Sequence, residues 1–490
     1  MLARLLERIE YKVVQGTTEL QINKLCYDSR KVEKGDVFVC IKGAGFDAHD
    51  FVADVAEKGA VAIIVQDDVE VSEDVTVVKV DNTRKALAYM SAAYFDYPAE
   101  QMTTIGITGT KGKTTTTYMV RSVLESVGIK TGLIGTIETI IGDEKIKAVN
   151  TTPESFIIQE TFRKMVDAGI QCVVMEVSSQ GLMLDRVAGF TFDYGIFTNL
   201  EKDHIGPNEH RDFAHYLECK AMLFKQCKHA IVNIDDKHTK EILEASTCDV
   251  ETYGVENEAD FRATNIELFT KPGKLCVSYE LKGKIEMPIE IHVPGMFSVY
   301  NSLCAIAICS HLTDDKEKIE KALADISVKG RVEIVKVSDR FVFMIDYAHN
   351  AMSLESLLTS LKEYNPKRIV TIFGCGGNRD KNRRYEMGEV SSKLADFTVV
   401  TSDNPRFEEP MDIINDILVG VKKADGEFAT VLDRKDAIRY AIMNAQDGDI
   451  IVLAGKGHED YQEIKGVKHP MDERTLINEV ISEDEVKKVL

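Results

Sequence analysis

At 490 residues with 44% hydrophobic content, the chain is long enough for roughly three domains of about 150 residues, each with its own core. Its formal net charge of −20 argues against a nucleic-acid surface, because phosphate backbones are held by an excess of Lys and Arg. Any anionic ligand must meet local basic clusters. Ten cysteines are scattered without a C-x-x-C pair, the pattern of reduced, mostly buried thiols in a cytosolic protein.

The first residues, MLARLLERIEYKVV, are amphipathic and carry acids, unlike a signal peptide. No later segment approaches 18 uncharged apolar residues, so a soluble, unprocessed cytoplasmic protein with no membrane partner is expected. From there the apolar, β-rich runs AVAIIV, KTGLIGT, CVVMEV, YGIFTNL, RIVTIFG, FTVVTS and DIIVLAG are separated by helical patterns. That alternation predicts α/β layers around mostly parallel sheets. The helix-like RKALAYMSAAYFDYP ends at Pro98, and KEKIEKALADI ends before Gly330-Arg331 and the fresh strand VEIVKV. These breaks predict domains over 1–98, 99–330 and 331–490.

The stretch IGITGTKGKTTTTYMV, Ile105 to Val120, reads as strand, glycine-lysine turn and helix. Gly109 and Gly112 let backbone N–H groups face an anion, Lys113 can reach terminal phosphates, and Thr114 supplies a hydroxyl for Mg²⁺. The strict pattern G-x-x-x-x-G-K-[ST] needs glycine where Ile107 stands, so this is a variant nucleotide-binding loop. Met119, Val120, Val123, Leu124 and Val127 form the apolar stripe of a helix packed on a sheet. Next comes CVVMEVSSQG, whose Glu176 ends a strand where α/β sheets place ligands and could hold Mg²⁺. Taken singly, such a Glu is more often a cap or surface charge. YGIFTNL then runs into Glu201, Asp203 and His204, a second possible metal-ligand segment, although a lone His is commonly structural.

Taken together, TGTKGKTT, MEVSS and TNLEKDH resemble motifs of the Mur ligase family, ATP-dependent amide-forming enzymes of bacterial cell-wall synthesis. The resemblance covers nearly the whole chain. It implies an α/β fold of three domains, with an N-terminal uridine-binding α/β domain, a central P-loop ATPase-type sheet and a Rossmann-like C-terminal domain. The residues Gly109, Thr110, Lys111, Gly112, Lys113, Thr114 and Thr115 then hold ATP, with Asn301 at the adenine side and Arg331 and Asp346 on the hinge side. CKAMLF is similar to the segment whose lysine is carbamylated in this family. Lys220, by its residue pattern an ordinary helix-surface lysine, would then join Thr114, Glu176 and His204 in organising Mg²⁺. Lys113, Lys220, Glu176 and His204 are the implied catalytic group.

YDSR, NTTP, DYAHN, DNPR and AGKGHEDYQ resemble the family's third-residue-adding members, with DNPR associated with meso-diaminopimelate. That resemblance implies three ligands: UDP-N-acetylmuramoyl-L-alanyl-D-glutamate, an amino acid and ATP. Asp28, Ser29 and Arg30 would face the uridine end, Thr151 and Thr152 the muramoyl peptide, and Ser178 and Arg186 its acidic portion. Arg379, Asp403, Asn404, Arg406, Gly455 and Glu459 would bind the amino acid, offering cations for carboxylates and acids for an ammonium. In isolation DNPR is only a proline turn. A monomer is expected.

The chain departs from the family pattern at Gln180 in place of His, at IGPNEH in place of an LDYHG-like segment, at Ser298 in place of Asn and at Ala351 in place of Pro. These departures keep open an L-lysine-adding enzyme or a paralogue with another acceptor. A folylpolyglutamate synthetase relative should lack the DSR segment and DNPR, and a non-catalytic nucleotide-binding regulator would release no phosphate on adding substrate. FGCGGN lacks the G-x-G-x-x-G spacing of a dinucleotide site, which weighs against a dehydrogenase.

Overall fold

The computed structural model describes every residue except Ala44, Pro207, Asn208 and Ala245. Two residues of the divergent IGPNEH segment therefore lie outside the described residues. The chain forms two compact units, Met1–Asp260 with Cys304–Asp315, and Phe261–Leu303 with Lys316–Leu490.

In the first unit, strands Leu25–Cys26, Val37–Val39, Ala62–Val65 and Thr76–Lys79 run parallel, and Lys12–Gln15 closes one edge antiparallel. Successive strand residues point to opposite faces. Val37, Val39, Ala62 and Ile64 accordingly join a core with helix Thr83–Tyr94, while Phe38, Cys40, Ile63 and Val65 join another with helix Val52–Glu57. Asn82 caps helix Thr83–Tyr94 through its side chain, accepting from the Arg84 and Lys85 N–H groups, as its residue type favours.

The same unit holds the parallel strands Asp249–Gly254, Cys227–Asn233, Phe192–Phe197, Thr103–Thr108, Cys172–Glu176 and Thr131–Ile134, followed by the antiparallel Glu138–Ile141 and Glu144–Lys147. Strand Thr103–Thr108 lies between Cys172–Glu176 and Phe192–Phe197, so three sequence-distant strand ends meet at one place. Helix Lys113–Ser126 buries Met119, Val120, Val123 and Leu124 completely. Each contributes about 1.5–3 kcal/mol of apolar burial, which fixes the helix start against the sheet.

In the second unit an antiparallel trio, Phe261–Lys271, Lys274–Gly283 and Met287–Ile291, precedes a six-stranded sheet. Its order is Glu333–Val335, Val342–Asp346, Asp449–Ala454, Arg368–Phe373, Phe397–Val400 and Phe428–Thr430, parallel except for the first pair. Every run read as a strand from sequence is a strand here, and the parallel order gives the expected α/β class. FGCGGN opens a loop that presses on the DNPR turn: a Cβ on Gly377 would sit 1.9 Å from the Pro405 carbonyl oxygen, and one on Gly374 would sit 2.3 Å from that of Thr401. Those glycines serve close backbone approach. Among the described residues no helix is long and apolar enough to cross a membrane, and all ten cysteines are free thiols.

Candidate active site

Ile107, where the strict loop pattern has glycine, is still inside strand Thr103–Thr108, paired with Glu176 on one side and Ile196 on the other. The turn opens two residues later. Gly109 has φ +147° and Gly112 +87°, and a Cβ on Gly109 would meet Thr198 Oγ1 at 1.9 Å, so this variant loop needs its glycines at these two positions. Beyond Gly112, helix Lys113–Ser126 presents its N-terminal N–H groups and positive dipole end, which favour an anion. The loop is held from below: Lys111 N–H donates to Asn199 Oδ1 at 2.8 Å, and the Thr198 hydroxyl donates to the Lys111 carbonyl at 2.7 Å. The Thr110 hydroxyl lies 3.0 Å from that of Tyr216, and Lys111 pairs with Glu201 at 2.7 Å.

Glu176 is buried at the end of its strand, so it is neither a cap nor a surface charge. Its Oε2 accepts from the Thr114 hydroxyl at 3.0 Å and the Thr136 hydroxyl at 3.0 Å, and its Oε1 accepts from Thr136 N–H at 2.8 Å. Thr114 and Glu176 thus form an adjacent hydroxyl–carboxylate pair at the mouth of the loop, oxygen donors that suit Mg²⁺.

Lys220 is the largest departure from its residue-level reading. It is 1% exposed, and its Nζ donates to the Gly109 carbonyl at 2.8 Å, the same oxygen that accepts from Lys113 Nζ at 2.8 Å. Lys113 also donates to the Thr110 carbonyl at 3.0 Å. Burial, reinforced by the neighbouring charge of Lys113, holds the Lys220 ammonium well below the usual lysine range. Two lysine side chains thus converge on one neutral oxygen, and burial disfavours the charged form of Lys220 there. His204 stands further out, half exposed at φ +54°. Its ring pairs with Glu209 at 3.3 Å and Asp203 at 3.6 Å.

Of the residues expected on the peptide side, Arg186 and Thr152 meet beside Glu154. Arg186 donates through Nε to Glu154 Oε1 at 2.8 Å and through Nη1 to the Thr152 carbonyl at 2.9 Å, and Arg84 reaches Glu154 at 3.3 Å. The Thr152 hydroxyl donates to the Glu176 carbonyl and accepts from Ser178 N–H. Thr151 Oγ1 lies 3.0 Å from Thr136 Oγ1, and Ser178 caps the next helix at Gly181 N–H. Asp28 and Arg30, expected at the uridine end, pair with each other at 2.8 Å. The Arg30 hydrogen bonds lower the Asp28 carboxyl to about 2. Ser29 is buried, and its carbonyl accepts from Lys58.

In the second unit, Asp346 accepts from the Val332 and Ala348 N–H groups at 2.8 Å each. Burial raises its carboxyl, with Arg331 pulling it back. The Arg331 guanidinium lies over the Tyr347 ring at 4.8 Å with Nε buried and unpartnered, and Asn301 is buried in helix Met296–Cys309. In place of Asn, Ser298 donates to the Pro294 carbonyl within that helix start.

The DNPR turn is a tight charge network. Asn404 Nδ2 donates to Glu459 Oε2 at 2.9 Å. The fully buried Lys456 donates to Asn404 Oδ1 at 3.2 Å and Glu459 Oε2 at 3.1 Å and lies 3.8 Å from Asp403. Arg406, at φ +52°, donates to the Gly377 carbonyl at 2.7 Å and to Glu463 at 3.2 Å, so it does not point freely to solvent. A Cβ on Gly455 would press Asp403 Oδ2 at 3.2 Å, and Arg379 is exposed beside Gly376. Sequence reasoning missed Lys456, Thr136, Tyr216 and Glu154. Lys456 stood inside AGKGHEDYQ, where its burial was the missing signal; nothing local marked the others.

Comparison with known proteins accords with this geometry. Residues 21–95 match the Mur ligase family catalytic domain, 107–309 the Mur ligase middle domain, and 330–457 the Mur ligase glutamate ligase domain. A UDP-N-acetylmuramoyl-L-alanyl-D-glutamate--2,6-diaminopimelate ligase of Clostridium perfringens is 44% identical, covering 98% of this chain and 99% of its own. A solved structure of an enzyme of that same name is 26% identical, covers 98% of both chains and superposes with a TM-score of 0.74. A MurF ligase from Thermotoga maritima in complex with ADP shares the fold at 17% identity, covering 96% of this chain and 100% of its own, with a TM-score of 0.58. The chain belongs to the Mur ligase family, whose members are ATP-dependent ligases that form peptide bonds.

Proposed function

We propose that this protein adds meso-diaminopimelate, the third peptide residue, to UDP-N-acetylmuramoyl-L-alanyl-D-glutamate at the expense of ATP, in peptidoglycan precursor synthesis. The observation that carries the reading is its full-length likeness to the clostridial enzyme, extending through the DNPR turn. We place the protein in the cytoplasm as a monomer, with a uridine-binding domain over 1–98, an ATP-binding domain over 99–330 and an amino-acid-binding domain over 331–490.

A carboxylate resists attack by an amine until one of its oxygens becomes a leaving group. In this reading the D-glutamate γ-carboxylate takes the γ-phosphoryl group, releasing ADP. The amine of the incoming amino acid attacks the acyl phosphate, and the tetrahedral adduct expels phosphate. Gly109 to Thr115 cradle the nucleotide phosphates, Lys113 turns from its carbonyl partners to the transferring oxygens, and Asn301, Arg331 and Asp346 hold the rest of ATP. Asp28, Ser29 and Arg30 take the uridine end. Thr151, Thr152, Ser178 and Arg186 hold the peptide, with the Glu154 contact of Arg186 exchanged for substrate carboxylate. Arg379, Asp403, Asn404, Arg406, Gly455 and Glu459 bind the amino acid.

Thr114, Glu176 and His204, with Lys220 as a carbamate, are the residues that would hold Mg²⁺. The metal would supply charge neutralisation at the phosphates. Burial favours the neutral Lys220 amine, the form that adds CO₂ to give the carbamate anion and one released proton. Lys220→Ala should be strongly impaired and partly rescued by short carboxylates; full activity of that variant would overturn the role.

The decisive experiment supplies UDP-muramoyl dipeptide, ATP and a panel of amino acids and follows ADP and ligated product. Diaminopimelate is the expected best substrate. Preference for L-lysine, or no product with either, overturns the assignment.

A further inference from the structure

His210, His215 and Cys219 form a group that none of this chemistry uses. One ring nitrogen of each histidine and the Cys219 sulfur all lie within 4.8 Å of one another. His215 and Cys219 stand four residues apart on helix Phe213–Ala221, a spacing that puts both on one face. His210 precedes the helix, its ring edge-on to that of His215 with centroids 5.1 Å apart.

The hydrogen bonding leaves ring nitrogens of this group available as ligands. His210 is fully buried, and its Nε2 lies 2.8 Å from Ser179 Oγ. Among the described residues, its Nδ1 is buried without a hydrogen-bond partner, and so is the Nδ1 of His215. An unsatisfied buried polar atom costs about 1–3 kcal/mol, and here two adjoin a buried thiol. With Nε2–H donating to Ser179, the Nδ1 lone pair of His210 is available, the outer-shell pattern that orients metal-binding histidines.

We propose that His210, His215 and Cys219 bind one thiophilic divalent cation of the Zn²⁺ class, at a site separate from the Mg²⁺ position at Thr114 and Glu176. Two imidazoles and a thiolate suit zinc, whereas Mg²⁺ takes oxygen. Zn–N bonds of about 2.0–2.1 Å and Zn–S bonds of about 2.3 Å place tetrahedral ligand atoms about 3.3–3.6 Å apart, a contraction of about 1 Å that ring rotation can supply. Water completes the fourth position. On binding, the cation–sulfur bond replaces the S–H bond of Cys219 and the proton passes to solvent. Because Lys220 follows Cys219, occupancy also pins the helical turn that carries Lys220.

Metal-free, full-length protein titrated with Co²⁺ in excess Mg²⁺ tests this without reference to ligase activity. One equivalent should give a thiolate-to-cobalt charge-transfer band that Zn²⁺ displaces. Cys219→Ser should abolish the band with the circular dichroism unchanged. His215→Ala, at a partly exposed position, should weaken Zn²⁺ binding by more than about tenfold. Cys227 and Cys248, with sulfurs 3.5 Å apart, are the competing thiols. No band in the unsubstituted protein, a band surviving Cys219→Ser but lost in Cys248→Ser, or unchanged affinity in His215→Ala overturns the proposal.

Discussion

The phosphate loop and the DNPR turn are both rich in charge, yet they handle it in opposite ways. At the loop, the Lys113 and Lys220 side chains share the neutral Gly109 carbonyl, and Glu176 is held by hydroxyls and an N–H. At the turn, Lys456 answers Glu459 and Asp403, and Arg406 answers Glu463. Behind it, buried Arg434 answers buried Glu473 at 2.6 Å. In the first region carbonyls, hydroxyls and an N–H hold the ionisable side chains, and a bound ligand can replace such neutral partners. The second is internally paired, with Lys456 and Arg406 facing Glu459, Asp403 and Glu463, so a zwitterion entering it must exchange partners with them. Preorganised donors suit transition-state stabilisation, whereas a paired network suits discrimination, because a ligand lacking one charge strands a protein group.

Breaking the loop side should have the largest effect. Lys113→Ala is expected to lower ADP formation by on the order of 10³-fold or more with the fold intact, since the side chain acts on phosphates and not the core. Near-normal ADP release by a folded variant would refute this. Next comes the support of the paired side: Arg434→Met strands Glu473 and should cost about 3–5 kcal/mol of stability, read as a lowered denaturation midpoint. An unchanged midpoint would show that the pair is not stabilising.

Arg406→Ala sharpens the comparison by testing discrimination alone. Lysine lacks the second carboxylate of diaminopimelate, so loss of the guanidinium should cost diaminopimelate about 2–5 kcal/mol, roughly thirtyfold to several-thousandfold in kcat/KM, and lysine much less. Retained preference in the variant would remove Arg406 from that role. The smallest effect is expected at Asp28, whose carboxyl is lowered to about 2 by the Arg30 hydrogen bonds. A depressed carboxylate stabilises the fold above its unfolded value, and that stabilisation is lost as pH falls through about 2. With Arg30 85% exposed, screening limits Asp28→Asn to less than about 1 kcal/mol at neutral pH. A larger loss would mean that Asp28 has a structural role beyond this surface pair.

The strands, the helix stripe of Met119 to Leu124 and the strand–glycine turn–helix at Gly109 to Lys113 were legible in the sequence because each follows a local rule of period or backbone freedom. The placement of Gly109 was legible too, since glycine is the residue that tolerates its φ. The fate of Lys220 was not. Its helix pattern reads as surface, and only the packing of that helix against a carbonyl 111 residues away buries it. Likewise DNPR reads as a turn, and the contacts of Arg406 with Gly377 and Glu463 depend on glycines that let two loops touch.

The sequence by itself determined the layered α/β class, the strand–glycine turn–helix at Gly109 to Lys113 and the family, because short-range periodicity and contiguous motifs carry that information. Tertiary structure alone decided which ionisable groups meet: among the described residues Glu176 and Lys220 are buried on neutral hydrogen-bond partners, Lys456 and Arg434 are paired with acids, and His210, His215 and Cys219 are gathered into one cluster. Their meeting depends on desolvation and on distances of a few ångströms between residues far apart in the chain, and neither quantity is written in any local stretch of it.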